Sequence, residues 1–354
     1  MLPAVECALM GDLLRPDQNL RFGGDHNVKW LGDIVTPALT LDVVKIDGHY
    51  IQKNFPDYFS SIFDKRYSSY QDIATEWAHF YDADLPPMET RDLLDRMMSR
   101  IIISFETPPS ILRYIEKVGG TYVDIKVSPI RFGQDLLLSF FSNSQKIFNI
   151  LRQFGIPDNF LLTEAALLER RLSQLFPKFE LPSGSAVFLA QSSFDSTLIS
   201  GGKLVRISDN RELIESLIAG RQCFIIPHPN EPKSVGATQF LEQFPSAQVI
   251  SHNTYNVMCH AKDLHFITIS SGSGSEAEVL CSHRNNAVSF ISQNNMSVKG
   301  ERYGKFVHVA AAFWSPVFWQ AILSPETPVF APDNFLIEPD RLRNHIGERW
   351  SKTF

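Results

Sequence analysis

Three short segments in the later half of the chain place carboxylates, hydroxyls and an imidazole just beyond apolar runs. The first, QSSFDSTLISGG (191–202), sets Gln191, Asp195 and Ser196 after the strand-like AVFLA. A carboxylate there can serve as nucleophile, general base or metal ligand, or can simply cap a turn. The second, PHPNEPKS (227–234), holds His228 between two prolines, which stiffen the backbone. Its imidazole can donate to a phosphate oxygen or pack within a loop. The third, SSGSGSEAEVL (270–280), leads Ser270, Ser271, Ser273 and Gly274 into a helix start. Exposed N–H groups and hydroxyls at such a start suit an anion, and Glu276 can accept from a ribose diol or be an ordinary first-turn acid. The spacing is neither a Walker A loop nor a GxGxxG after the first strand, so an ATPase or a dinucleotide dehydrogenase has little support.

The first half offers a partner set. Glu106 ends the apolar run RIIISFE and is followed by Pro108-Pro109, which hold the turn stiffly. Asp124, Arg131 and Asp135 lie within VDIKVSPIRFGQD, and Asp25 and His26 within GGDHN. Each is a candidate acid/base across a cleft, or an ordinary salt bridge or cap. Arg131 is also a candidate for a carboxylate, which a guanidinium matches bidentately.

These loops need strands to carry them. RIIISFE (100–106) reads as a strand buried on both faces, PPSILRYIEKVG (108–119) as a helix with proline first and glycine last, and TYVDIKVSPIRF (121–132) as a strand. The pattern then predicts one long amphipathic helix over 133–155 and another over 163–176. PKFELPSGS (177–185) is the linker candidate. Beyond it, strands at 186–191, 222–229, 247–251, 264–270 and 287–292 alternate with helices at 210–220, 238–244, 255–261 and after 271. This rhythm predicts α/β architecture with parallel sheets, whose ligands sit at the carboxyl ends of the strands. The expected division is 1–180, 181–306 and a closing helical segment 307–354 that packs back across both parts. VHVAAAFWSPVFWQAIL (307–323) is read as a late packed helix or, alternatively, a surface for lipid; the basic RLRNHIGERWSK (341–352) could likewise touch anionic lipid.

Composition sets the outer limits. The chain has 354 residues and a formal net charge of −6, with 44% hydrophobic and 20% charged residues. That is a globular composition without the basic face that nucleic acid demands. No apolar run reaches the ~20 residues of a membrane span. The start MLPAVECALMGDLL lacks a basic n-region and is broken by Asp12, so it is not read as a signal peptide. Cys7, Cys223, Cys259 and Cys281 form no CxxC pair, which argues for buried thiols in a reducing compartment.

Taken together, Gln191…Asp195-Ser196, then His228-Pro229, then Ser271, Ser273, Gly274, Glu276 and Ala277 resemble the bacterial capsule and lipopolysaccharide Kdo transferases. The resemblance covers mainly residues 186–292. This sequence departs from the family at Pro227, where lysine is frequent, and at Ser275, where phenylalanine is common. The resemblance implies a GT-B-like fold, with two Rossmann-like domains facing a central cleft. The first domain would bind a glycan acceptor and the second a CMP-sugar donor. It implies a retaining transfer of β-Kdo from CMP-β-Kdo to a surface polysaccharide, O-antigen or capsule, without a metal or other cofactor. Asp195 would be the nucleophile, and His228 and Ser270–Ser273 the phosphate donors; the acid/base would come from the first half, where Glu106 leads the candidates named above by its stiff strand-end position. Gln191, Ser196, Gly274, Glu276 and Arg131 would complete the donor site. The expected protein is cytoplasmic, with peripheral inner-membrane contact where the acceptor is lipid-linked. Competing readings are a sialyltransferase or other CMP-linked acid-sugar transferase, a pyruvyl transferase of GT-B shape, and a non-catalytic glycan-binding subunit.

Overall fold

The computed structural model describes residues 7–16, 22–38, 43–63, 70–98, 100–192, 195–228, 235–281, 285–292, 305–326 and 336–347. In chain order the strands are β1 (Cys7–Met10), β2 (Val43–Ile46), β3 (Ile101–Phe105), β4 (Thr121–Val127), β5 (Leu138–Ser142), β6 (Ala186–Leu189), β7 (Ile199–Ser200), β8 (Lys203–Leu204), β9 (Cys223–Ile226), β10 (Gln248–Val249), β11 (His265–Thr268), β12 (Ala287–Phe290) and β13 (Val307–Val309). They form a six-stranded sheet in the order β13-β5-β4-β3-β1-β2 and a five-stranded sheet in the order β10-β9-β6-β11-β12, with β7 and β8 as a separate hairpin. The second sheet is parallel throughout. The first is parallel from β2 to β4, but β5 and β13 run antiparallel.

The antiparallel pair corrects the long helix expected over 133–155. Residues 138–142 are strand, and the helix covers only Gln145–Gln153. Leu136, Leu138 and Phe140 enter the first core at spacing two, which is strand periodicity. Asn143 accepts from the Tyr122 N–H at 3.0 Å, and Ser144 caps the helix through the Ile147 N–H. The segment 307–323 is likewise not one helix. It opens as β13, passes through a short turn of 3₁₀ helix and becomes helical at Pro316–Leu323. Phe318, Trp319 and Ile322 are fully enclosed in the first core, so this helix presents its apolar side chains to protein rather than to a lipid surface. Arg349 and Lys352 of the basic tail lie outside the described residues.

Other elements follow from local sequence. Pro109 opens the helix Pro109–Lys117 at a position where the missing N–H costs nothing. Pro86 and Pro87 separate helices Tyr70–Asp82 and Met88–Asp95. The four cysteines are buried and free, and burial pushes the Cys7 thiol up to about 12, so it is an inert core residue. Among the described residues no helix is long and apolar enough to cross a membrane.

Candidate functional site

The parallel strands β1, β3 and β4 end on one edge of the first sheet, and that edge is charged. Beyond β1, Asp12 is buried and accepts from the Leu14 N–H at 2.8 Å and the Trp77 indole at 3.0 Å. Arg15 stacks its guanidinium over the same indole, 5.1 Å from the ring centre. Beyond β3, the Glu106 N–H still bonds the Ile125 carbonyl of β4 at 2.8 Å, but φ turns to +52°. A left-handed conformation at a non-glycine costs of order 1–3 kcal/mol and is retained where the surroundings over-determine it. On β4, Asp124 is fully buried and accepts from Ser104 Oγ at 3.1 Å and the Thr107 N–H at 3.2 Å, with Lys126 Nζ 3.6 Å away.

Burial dominates the electrostatics of this edge. It pushes Asp12 up to about 6 against the opposing pull of Leu14, Arg15 and Trp77, with the Glu106 charge adding to the rise. Burial also raises Glu106. The charge of Asp195, from the second sheet, raises it further, while Arg15, Lys126 and Arg131 act in the opposite direction. Asp124 is raised by burial, with Lys126 the largest counterweight.

The facing edge of the second sheet is mostly neutral. Gln191, just past β6, accepts from the Ser270 N–H at 2.9 Å and donates to Ser270 Oγ at 3.0 Å and Thr197 Oγ1 at 3.3 Å. The loops after β6 and β11 are thereby tied together. Asp195 is half-buried and caps the short 3₁₀ turn Ser196–Leu198 through the Thr197 N–H at 2.9 Å. Ser196 is half-buried in that turn. His228 is half-buried two residues beyond β9, and Pro229 lies outside the described residues. Ser271 caps the helix Gly272–Leu280, receiving the Ser273 N–H at 3.3 Å. Gly274 packs flat on the sheet: a Cβ there would lie 2.8 Å from the Phe290 ring and from the Thr268 methyl.

Residues 128–135 bridge the two edges. The Arg131 N–H donates to Glu276 Oε1 at 2.8 Å, and the Tyr255 hydroxyl donates to the same oxygen at 2.9 Å. Glu276 is buried, and its burial pushes it up to about 7. Phe132 meets Tyr255 edge to face, and a Cβ at Gly272 would lie 3.2 Å from the Pro129 carbonyl. From the other side the fully buried Arg343 donates to the carbonyls of Arg131, Gly133 and Gln134 and to Asp340. Asp135 accepts from the Leu342 and Arg343 N–H groups at 2.7 and 3.3 Å, so it holds the start of helix Arg341–Ile346 rather than standing on the charged edge. Asp25 accepts from the Gly48 N–H, and His26 Nε2 lies 3.0 Å from the Ile346 carbonyl, which ties both to their own surroundings.

Glu106 is therefore within electrostatic reach of both Asp195 and Arg131, and Gln191, Thr197 and Ser270 form one connected wall. Sequence reasoning missed Asp12, Arg15, Lys126, Tyr255 and Arg343. Asp12 did leave a signal, as an acid interrupting an apolar run; Arg343 reads with the basic 341–352 segment as a lipid contact, but it is fully buried and bonded to protein carbonyls.

No family model and no curated protein matches this chain. Solved structures similar to it include two of Thermosulfurimonas dismutans KpsC. One, a β-Kdo 2,7 transferase, is 12% identical with a TM-score of 0.41, over 89% of each chain. The other, a β-Kdo 2,4 transferase, is 13% identical with a TM-score of 0.36, over 62% of this chain and 78% of that one. The likeness is a distant one of structure.

Proposed function

We propose that the protein is a retaining glycosyltransferase of GT-B type that moves β-Kdo from CMP-β-Kdo to a bacterial surface polysaccharide. What supports this reading is that Asp195, in a loop tied by Gln191 and Thr197 to Ser270 beyond β11, is near enough for its charge to act on Glu106 after β3. Two carboxyls across a cleft are what a double displacement at a sugar centre requires. In the first step an Asp195 oxygen attacks the anomeric carbon, the bond to the phosphate oxygen breaks, and CMP leaves with the electron pair. His228 and the hydroxyls of Ser271 and Ser273 receive the growing charge on the phosphate. In the second step the acceptor oxygen attacks the same carbon, the sugar–Asp195 bond breaks, and the hydroxyl proton passes to Glu106. Two inversions return the β configuration. Arg131 is the candidate partner of the sugar carboxylate. No step calls for a metal, and the reaction is proposed to run in the cytoplasm on a glycan acceptor, lipid-linked or free.

The test is incubation with CMP-Kdo generated in situ and a synthetic acceptor, followed by mass spectrometry. Glycosylated product and a Kdo adduct on the peptide containing Asp195 are expected. Transfer of a different CMP-linked acid sugar in a donor panel would reassign the donor. Normal product from Asp195→Ala would reject the covalent route.

A further inference from the structure

The charged edge holds a buried carboxyl that the proposed reaction leaves unused. Asp12 lies two residues beyond the last β1–β3 rung, Met10 opposite Ser104, and Glu106 lies two residues beyond the same rung. Adjacent strands are ~4.8 Å apart, so the two acids leave neighbouring strand ends side by side. The Asp12 carboxyl is pinned by Leu14 and Trp77, and the Glu106 backbone is fixed by its N–H bond to Ile125 and its left-handed turn. The same indole that bonds Asp12 carries the Arg15 guanidinium, so one aromatic ring fixes both an acid and a cation beside Glu106.

We propose that Asp12 is a positioning residue for Glu106: the two form a coupled carboxyl pair, and the proton taken from the acceptor hydroxyl is held by the pair rather than by Glu106 alone. The inference rests on the reading of Glu106 as the proton acceptor in transfer.

The surroundings support it. Glu106 feels the charges of Arg15 from the segment after β1, Lys126 from β4, Arg131 from the following loop and Asp195 from the second sheet, and its own charge acts on Asp12; Asp124 is linked to the same turn through the Thr107 N–H. Tyr58, bonded to Thr90 at 2.7 Å, is raised by burial, and the Asp12 charge adds to the rise. Four acids thus share this region with three fixed cations. Two like charges side by side in a buried site do not ionise independently, so the second proton leaves later than the first. The result is a stronger base in the range where a base is useful, close to neutral pH.

The test reads Glu106 directly, without substrate. In protein carrying ¹³C-carboxyl glutamate, the signal lost in Glu106→Gln is the Glu106 carboxyl. In the wild type it should titrate in two coupled steps reaching above the ordinary glutamate range. In Asp12→Asn it should titrate in one step, with the upper midpoint lowered by ~1 pH unit, a tenfold loss of proton affinity. Arg15→Gln should shift the steps in the opposite direction. An unchanged Glu106 titration in Asp12→Asn overturns the proposal. If Asp12→Asn does not fold, the wild-type curve decides, and a single-step Glu106 titration there overturns it.

In transfer assays the acid limb of the pH profile should move down by the same amount in Asp12→Asn, whereas a merely structural role would lower kcat at every pH without moving the limb. A moved titration with no transfer from any CMP-sugar would retain the carboxyl pair and reject the functional reading instead.

Discussion

The two sheets end in edges of opposite character. Beyond β1 and β3 stand Asp12 and Glu106, with Asp124 and Lys126 on β4 itself; beyond β6 and β11 stand Gln191, Thr197, Ser270 and Ser271. Buried charges must find opposite charges or keep their protons, and the carboxyls of the first edge do some of each. Buried amides and hydroxyls need only geometry, and those of the second edge bond one another. A buried, charged edge therefore contrasts with a neutral one whose groups satisfy one another. In the proposed transfer the first would take up the proton, and the second would hold the phosphate without adding a charge that repels it.

The sharpest way to break this contrast is to remove the carboxylate that the second edge sends toward the first. Asp195→Ala should cut transfer by ~10⁴-fold with the fold intact, as for loss of a nucleophile, and quantified product by mass spectrometry checks it. The next largest effect concerns the bridge between the edges. Arg343→Met removes a buried guanidinium that holds three carbonyls of the 131–134 segment and Asp340. Stability should fall by ~3–5 kcal/mol in urea unfolding, because Asp135 and the carbonyls lose a buried partner. Retention of stability would mean that the bridge is not what joins the two edges.

Glu276 gives a prediction with a pH sign. Its folded value is raised from 4.5 to about 7, so the folded state binds more protons than the unfolded one between those values. Stability from this group is full below pH 4.5 and is lost as pH rises through about 7. Glu276→Gln keeps an acceptor for Arg131 and Tyr255 and should raise the thermal midpoint at pH 8, by up to ~3 kcal/mol equivalent, with no gain at pH 4. A gain independent of pH would place the effect elsewhere. Last, Gly274→Ala drives a methyl into Phe290 and Thr268 and should cost ~1–3 kcal/mol in chemical denaturation. A neutral result would show that the helix below the Ser271 cap can slide, and that the neutral edge is less fixed than the charged one.

Much of the second sheet was legible, because short apolar runs bounded by glycine, proline and serine define each strand and helix within its own sequence. AVFL, CFII and HFIT all became strands, and the Ser271 start became a helix. The first sheet was less so. LLLSFF fits helical and strand periods about equally, and antiparallel pairing with β4 decided the outcome through rungs such as Val123 opposite Ser142. The rung between Val307 and Phe140 joins positions too far apart for any local pattern to announce.

What the sequence determined by itself is the alternation of elements, the caps and prolines that end them, and the short list of groups able to do chemistry. Each of those depends on neighbours within a few residues. The tertiary structure alone decided which groups meet. Asp12 receives Trp77 across 65 positions, Arg131 reaches Glu276 across 145, and Arg343 reaches Gln134 across 209. Burial then set their charge states, because the free energy of an ionised carboxyl depends on what surrounds it in space and not on what precedes it in the chain.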